Sequence, residues 1–313
     1  MRKFIFKILL YVFCVSFLII GINEWYKGRD LDKDYTKKFE TLPSNIQVCN
    51  FGSSHGLYGF CYEDYEKQYV CFNFGLESQM LSYDLRILEN YKDNIQEGAI
   101  VFIPVSYFSL FGQKEEEAQD FGSKNKRYYK ILPPELIKNY ELDTDIYVRY
   151  FPVTSAYEEV FQAIVKKADH SEWEGKASDI DLEKNVSASS ERHIITNKFD
   201  EYGNRIINQE EIDALVQIIK ECKALGTRPI LLITPFLSEY LEAVEMRDTD
   251  FYQNFYQVID GIVNSTEVEF YDYSSDKRFK DNYDLFMNGD HLNEEGAKKF
   301  VDVLMKEVFI KEN

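Results

Sequence analysis

The chain opens on a long apolar run, residues 4–22, broken by a single charge at Lys7. As a helix this run spans about 28 Å, close to the hydrocarbon thickness of a bilayer. Lys7 lies within its first turn, where the stem lets the ammonium reach the headgroups. Arg2, Lys3 and Lys7 open the run without an acid, whereas residues 24–40 mix acids and bases. That asymmetry predicts a cytoplasmic N-terminus with everything after about residue 23 on the extracytoplasmic side. No small-x-small cleavage pattern follows at Asn23, Glu24, Trp25 and Tyr26, so residues 1–22 read as an uncleaved signal anchor and 23–45 as a linker.

Beyond the linker, short apolar runs alternate with amphipathic stretches. Residues 46–51, 69–75, 99–110, 229–234 and 268–273 are nearly uniform in apolar character and predict buried strands. Residues 80–93, 209–225, 251–263 and 294–308 carry helical spacing. From about 113 to 208 the alternation breaks into a charge run at 114–117, helix-compatible stretches at 134–140 and 156–167, and a polar segment at 171–192. This stretch reads as an insertion within one α/β domain covering 46–313. Uniformly apolar strands alternating with helices predict a parallel sheet covered on both faces. In such a sheet, ligands bind beyond the carboxyl ends of the strands.

The composition narrows the function. Of 313 residues, 54 are acidic and 36 basic, a formal net charge of −18. A hydrophobic content of 45% belongs to a folded chain. The acidity excludes a nucleic-acid footprint and a basic patch on anionic lipid. Cys14, Cys49, Cys61, Cys71 and Cys222 show no zinc or redox spacing, so no metal and no cofactor is expected. The 23 Tyr and 24 Phe fit a large aromatic core better than sugar-stacking platforms.

The strand ends carry the candidate chemistry. After the first strand comes Gly52-Ser53-Ser54-His55-Gly56, after the second Gly75-Leu76-Glu77-Ser78-Gln79, and before the last helix Asn288-Gly289-Asp290-His291-Leu292-Asn293. A serine on a glycine-flanked strand-to-helix turn is presented for attack. A histidine at the same edge of the sheet can act as its base, and an adjoining acid can hold the imidazole. Each residue also has a plain structural reading: Ser54 as a helix cap, His291 as a loop residue bonding backbone, Asp290 as an acid near a helix N-terminus. His170 and His193 lie in the polar insertion and are expected to be solvated.

Together these blocks resemble the SGNH/GDSL family of serine esterases and acyltransferases. Gly52-Ser53-Ser54-His55 matches its first motif, with Ser53 where Asp is usual. His291-Leu292-Asn293 followed by Gly296 matches its terminal histidine motif. The resemblance covers roughly 46–110 and 209–308 and implies a flavodoxin-like three-layer fold. It implies Ser54 as nucleophile, His291 as base and Gly75 as an oxyanion donor. The family's orienting Asp falls at Asn288, leaving Asp290 as the available carboxylate and Asn288 as the alternative. Its third-block Asn has no clear counterpart, and Ser106 or Tyr107 stands where it would be expected. His55 and Gln79 read as wall or substrate contacts.

An anchored, outward-facing domain of this kind resembles teichoic-acid D-alanyl transfer proteins and polysaccharide O-acetyltransferases. That resemblance implies transfer of an acetyl or D-alanyl group to a cell-envelope polymer, or ester hydrolysis on it, with a multi-spanning membrane acyltransferase as partner. The alternative is a non-catalytic binding or assembly protein of the same fold, in which GSSHG is only a capping or anion-cradling turn.

Overall fold

The computed structural model describes residues 1–27, 35–114, 121–151, 173 and 175–310. The expected helix at 156–167, His170 and most of the charge run at 114–117 lie outside these residues. The chain divides into two compact units, residues 1–41 with 122–170, and residues 42–121 with 171–313.

The first unit begins with α1 (Arg2–Lys27), a single helix through the apolar N-terminal run. Its segment Lys3–Trp25 is long and apolar enough to cross a membrane, or to serve as a signal sequence.

The second unit follows the predicted alternation. β1 (Ile46–Asn50) leads to the short helix α2 (Ser54–Gly59), then β2 (Cys71–Asn73), α3 (Leu81–Tyr91) and β3 (Ile95–Pro104). The chain then returns to the first unit for α4 (Leu142–Tyr150). There Arg149 is held by Asp145 one turn away and donates to the Leu132 carbonyl at 3.0 Å, while Tyr129 stacks on Tyr140. The second unit resumes with α5 (Leu182–Ser190), α6 (Gln209–Ala224), β4 (Arg228–Ile233), α7 (Ser238–Arg247), α8 (Phe251–Thr266), β5 (Glu269–Asp272) and α9 (Glu294–Ile310).

All four strand pairings are parallel, in the order β2-β1-β3-β4-β5. This is the flavodoxin-like order, and it requires helices on both faces. On one face Val48, Ile100, Phe102, Ile230 and Leu232 pack against Phe300, Val301 and Leu304 of α9. Alternation along the strands turns Val101, Ile103, Leu231 and Ile233 to the other face, where α3, α6 and α8 lie together. The fold is thus three-layered α/β/α. Much of the 47 Tyr and Phe content sits inside: Tyr83, Tyr107, Tyr240, Phe51, Phe102, Phe236 and Phe255 are all fully buried. All five cysteines are free thiols.

Part of the expected insertion belongs to this core. Ala177 is buried and donates its N–H to the Phe286 carbonyl at 2.7 Å. A π-helical turn, Glu191–Ile195, follows α5 and buries His193 and Ile194.

Candidate active site

The strand order reverses between β1 and β3, and the Gly52-Ser53-Ser54 turn leaves β1 at that point. Gly52 adopts φ +110°, and a Cβ there would stand 2.8 Å from Pro104 Cγ, so the turn needs glycine. Its N–H donates to Asp84 Oδ1 at 2.9 Å, and Gln79 Nε2 donates to the same oxygen at 2.6 Å. Burial pushes the Asp84 carboxyl up to about 8 despite both donors. Asn50 and Asn73, closing β1 and β2, lace α2 to the sheet. Asn50 Nδ2 donates to the Gly56 carbonyl at 2.9 Å, and Asn73 Nδ2 to Gly56, Leu57 and Phe60 at 3.0–3.1 Å. Ser53, not Ser54, caps α2, accepting the His55 N–H at 3.4 Å. Ser54 is half-buried between buried neighbours, and capping does not account for it.

Ser54 Oγ lies 2.8 Å from His291 Nε2. The other ring nitrogen, Nδ1, lies 3.0 Å from Asn288 Oδ1. The same oxygen accepts the backbone N–H groups of Asp290 at 3.1 Å and His291 at 2.9 Å. Three donors converge on one amide oxygen, which fixes the amide's orientation and puts the ring proton on Nδ1. Nε2 is then left with a lone pair facing the serine hydroxyl. Burial pushes the His291 imidazole down to about 4, although Asp290 pulls it up.

The expectation that Asp290 orients His291 needs correction. Asp290 Oδ2 is 3.5 Å from His291 Nδ1, and the hydrogen bond on that nitrogen goes to Asn288. The backbone turn explains this, since Asn288 folds back over the two residues that follow it. Asp290 is instead buried among three imidazoles, with His55 Nε2 at 3.4 Å and His193 Nδ1 at 3.8 Å. Burial raises its carboxyl, but the charge-favouring contacts of His291, His55 and His193 outweigh it and hold the group below the usual carboxylate range. An ionised Asp290 draws the His55 proton to Nε2. His55 Nδ1 then accepts from the Ser106 hydroxyl at 2.8 Å, which in turn accepts from Ser53 Oγ at 2.7 Å. A single chain of hydrogen bonds, Ser53 to Ser106 to His55 to Asp290, underlies the Ser54–His291 couple.

Other expected roles change as well. His193 is buried and hydrogen-bonded to the Tyr240 hydroxyl at 2.8 Å, not solvated. Burial drives its imidazole down to about 3. Ser106 supports His55 from within the fold, so its hydroxyl is already committed. The Gly75 N–H donates to Asn73 Oδ1 at 2.9 Å, so it too has a partner. Glycine is needed there for space, because a Cβ would come within 2.6 Å of Leu57 N and 2.8 Å of Gly56 C. Gln79 is buried under the Gly52 turn and is no substrate contact. His55 is a buried link in the chain beneath the couple, not a wall residue. Tyr58 stands edge-on to His291 at 5.7 Å and donates its hydroxyl to Glu77, and its ring lies 6.4 Å from that of Trp173.

His55, Asp290 and His291 each offer a ligand atom within 4.8 Å of one another, the spacing a metal would need. Each ring nitrogen of the two histidines already has a hydrogen-bond partner, however: Ser106, Asp290, Asn288 and Ser54. The arrangement suits proton transfer. As a serine oxygen attacks an electrophilic carbon, its proton passes to Nε2 while the ring is held at Nδ1. The Ser54 N–H, at the first position of α2, has no intrahelical acceptor and stands beside the attacking oxygen.

No protein-family model matches the chain, and no curated protein matches its sequence. Among solved structures it is similar to a GDSL-like lipase from Bacteroides thetaiotaomicron, at 12% identity over 90% of this chain and 98% of that one, with a TM-score of 0.43. It is similar also to an acetylxylan esterase from Geobacillus stearothermophilus, at 12% identity over 83% of this chain and 92% of that one, with a TM-score of 0.35. Likenesses this distant carry no argument for the chemistry, which rests on the geometry of Ser54, His291 and Asn288.

Proposed function

We propose that the protein is a serine-dependent acyl-transferring enzyme in which Ser54 is the nucleophile and His291 its general base. The observation that carries this reading is the 2.8 Å contact between Ser54 Oγ and His291 Nε2, with Nδ1 held by Asn288. Ser54 attacks the acyl carbon of an ester and passes its proton to His291. The leaving alcohol takes that proton; a second hydroxyl then gives its proton to His291 and attacks the acyl-serine, and the acyl–Oγ bond breaks as Ser54 takes the proton back. A sugar or polyol hydroxyl in that step makes the protein an acyltransferase, and water makes it an esterase. Asp290, charged and 3.5 Å from Nδ1, favours the transient imidazolium.

The resemblance of the two motif blocks to SGNH/GDSL enzymes supports an acetyl or D-alanyl group as cargo. The apolar α1, with Arg2, Lys3 and Lys7 and no acid in its first turns, supports a membrane-anchored domain on the extracytoplasmic face. Together they favour a cell-envelope polysaccharide or teichoic-acid-like polymer as acceptor, and a multi-spanning membrane acyltransferase as the donor's source.

A second reading, a non-catalytic binding or assembly protein, draws on one observation. The Gly75 N–H and the Ser106 hydroxyl are both engaged inside the fold, which leaves the oxyanion fewer donors. Hydrolysis of p-nitrophenyl acetate by the full chain separates the two. Turnover that disappears in both Ser54→Ala and His291→Ala supports the enzyme. Equal rates in all three proteins would exclude a serine mechanism.

A further inference from the structure

We infer that α4 is an interfacial helix, lying in the membrane–water boundary beside the end of α1. Leu142, Ile146 and Tyr150 recur at helical spacing on one side of α4, with Tyr147 alongside. They are 65, 42, 64 and 51% exposed, in that order. The following Phe151 is exposed as well. The opposite side is occupied within the same unit, where Val148 is buried, and on the flank Arg149 reaches Asp145 and the Leu132 carbonyl. A nine-residue helix is too short to be stable on propensity alone, and it turns its apolar stripe outward.

The depth of this stripe is set by α1. Asn23, buried near the end of the candidate span Lys3–Trp25, donates its side-chain amide to the Tyr150 carbonyl at 2.8 Å. That carbonyl is among the last four of α4, which lack intrahelical donors. A bond from the end of a membrane span brings Tyr150 to the level at which the span leaves the hydrocarbon. Trp25, Tyr147 and Tyr150 are then the residue types that gather at such a boundary. The occupant of the stripe is therefore lipid, at the junction of headgroups and acyl chains. Asp143 and Asp145 stand in the first turn of α4, so the attraction comes from apolar area and needs no anionic lipid.

The inference rests on α1 crossing the bilayer, and the test reports the two separately. Full-length protein with Trp25 and Trp173 replaced by Phe is reconstituted in phosphatidylcholine nanodiscs. A single tryptophan is then introduced as Ile146→Trp, as Leu18→Trp within α1, or as Met246→Trp on the exposed surface of the second unit. The expected result has three parts. Ile146→Trp loses emission with lipid brominated near the headgroup end of its chains, Leu18→Trp loses it with lipid brominated near the bilayer centre, and Met246→Trp is unaffected by either. Ile146→Trp behaving like Met246→Trp, while Leu18→Trp is quenched, would overturn the interfacial helix and leave the span intact. A blue shift at Ile146→Trp that depends on protein concentration and not on bromination would overturn it in favour of self-association. Failure to quench Leu18→Trp would overturn the span and the helix placement together.

Discussion

Asn288 Oδ1 lies 3.0 Å from His291 Nδ1, while the carboxylate of Asp290, the very next residue but one, turns its hydrogen bond to His55. An amide thus does the orienting, and a nearby buried charge does the electrostatics. Replacing the orienting acid of a protease triad by an amide costs about 10⁴ in rate, largely through the wrong tautomer. Here the amide presents its oxygen, so the tautomer is right. Asn288→Ala is expected to lower kcat by up to that amount. Asp290→Asn should cost less, because the ring stays oriented. The double variant should cost less than the product of the two, since both act through one ring. Steady-state rates on p-nitrophenyl acetate check the order. A larger loss from Asp290→Asn would make the carboxylate the orienting group.

The acidity of His291 sets a pH profile. A base must be neutral to accept the serine proton, and burial holds this imidazole near 4 instead of the usual 6.5. The acid limb of kcat/KM should therefore fall near pH 4. Asp290 favours the imidazolium, so Asp290→Asn should move the limb lower still. Stability follows the same sign. The unfolded chain takes up the proton first, so the native state loses stability as pH falls from about 6.5 toward 4. A limb near 6.5 in the parent protein would contradict the buried ring.

Gly75→Ala is expected to destabilise the fold by about 1–3 kcal/mol, the usual cost of forcing extra volume into packed backbone. The clash is with Leu57 N and Gly56 C, both in the helix that Ser54 begins. Thermal melting and turnover should fall together. An unchanged melting temperature would contradict this packing role.

Asp84 makes a separable case. Its charge is costly, because burial raises the carboxyl to about 8, and that cost grows as pH rises from the usual carboxylate range to 8. Asp84→Asn keeps an oxygen for Gly52 and Gln79 and removes the charge, so it should be at least as stable as the parent at pH 8. Asp84→Ala leaves the buried Gly52 N–H unpaired, while Gln79 keeps the Gly52 and Phe74 carbonyls, and should cost about 1–3 kcal/mol. Chemical denaturation across pH measures both. Equal damage by the two substitutions would contradict this account.

The sheet was legible because its inner strands β1, β3 and β4 are largely buried on both faces and so read as apolar runs, while the partly buried edge strands β2 and β5 lie within their expected runs. Ser54 and His291 were legible because a turn and a loop motif stood at strand ends. What was hidden depends on three-dimensional closure. Spacing alone does not tell which oxygen reaches Nδ1, since the turn at Asn288 is made by backbone hydrogen bonds. His193 has charged neighbours in sequence, Glu191 and Arg192, but the π-helical turn rotates it inward to Asp290. Asn50 and Asn73 gave one signal that could have been used: two apolar strands each ending in asparagine at the edge where the site lies.

Activation of Ser54 by His291 makes this serine, alone on the chain, open to covalent trapping. The full-length protein is treated with a fluorophosphonate, and the adduct is mapped by peptide mass. One adduct per chain is expected, on Ser54, lost in Ser54→Ala and strongly slowed in His291→Ala. An unmodified Ser54 in the parent protein, or labelling that is indifferent to His291, would contradict it.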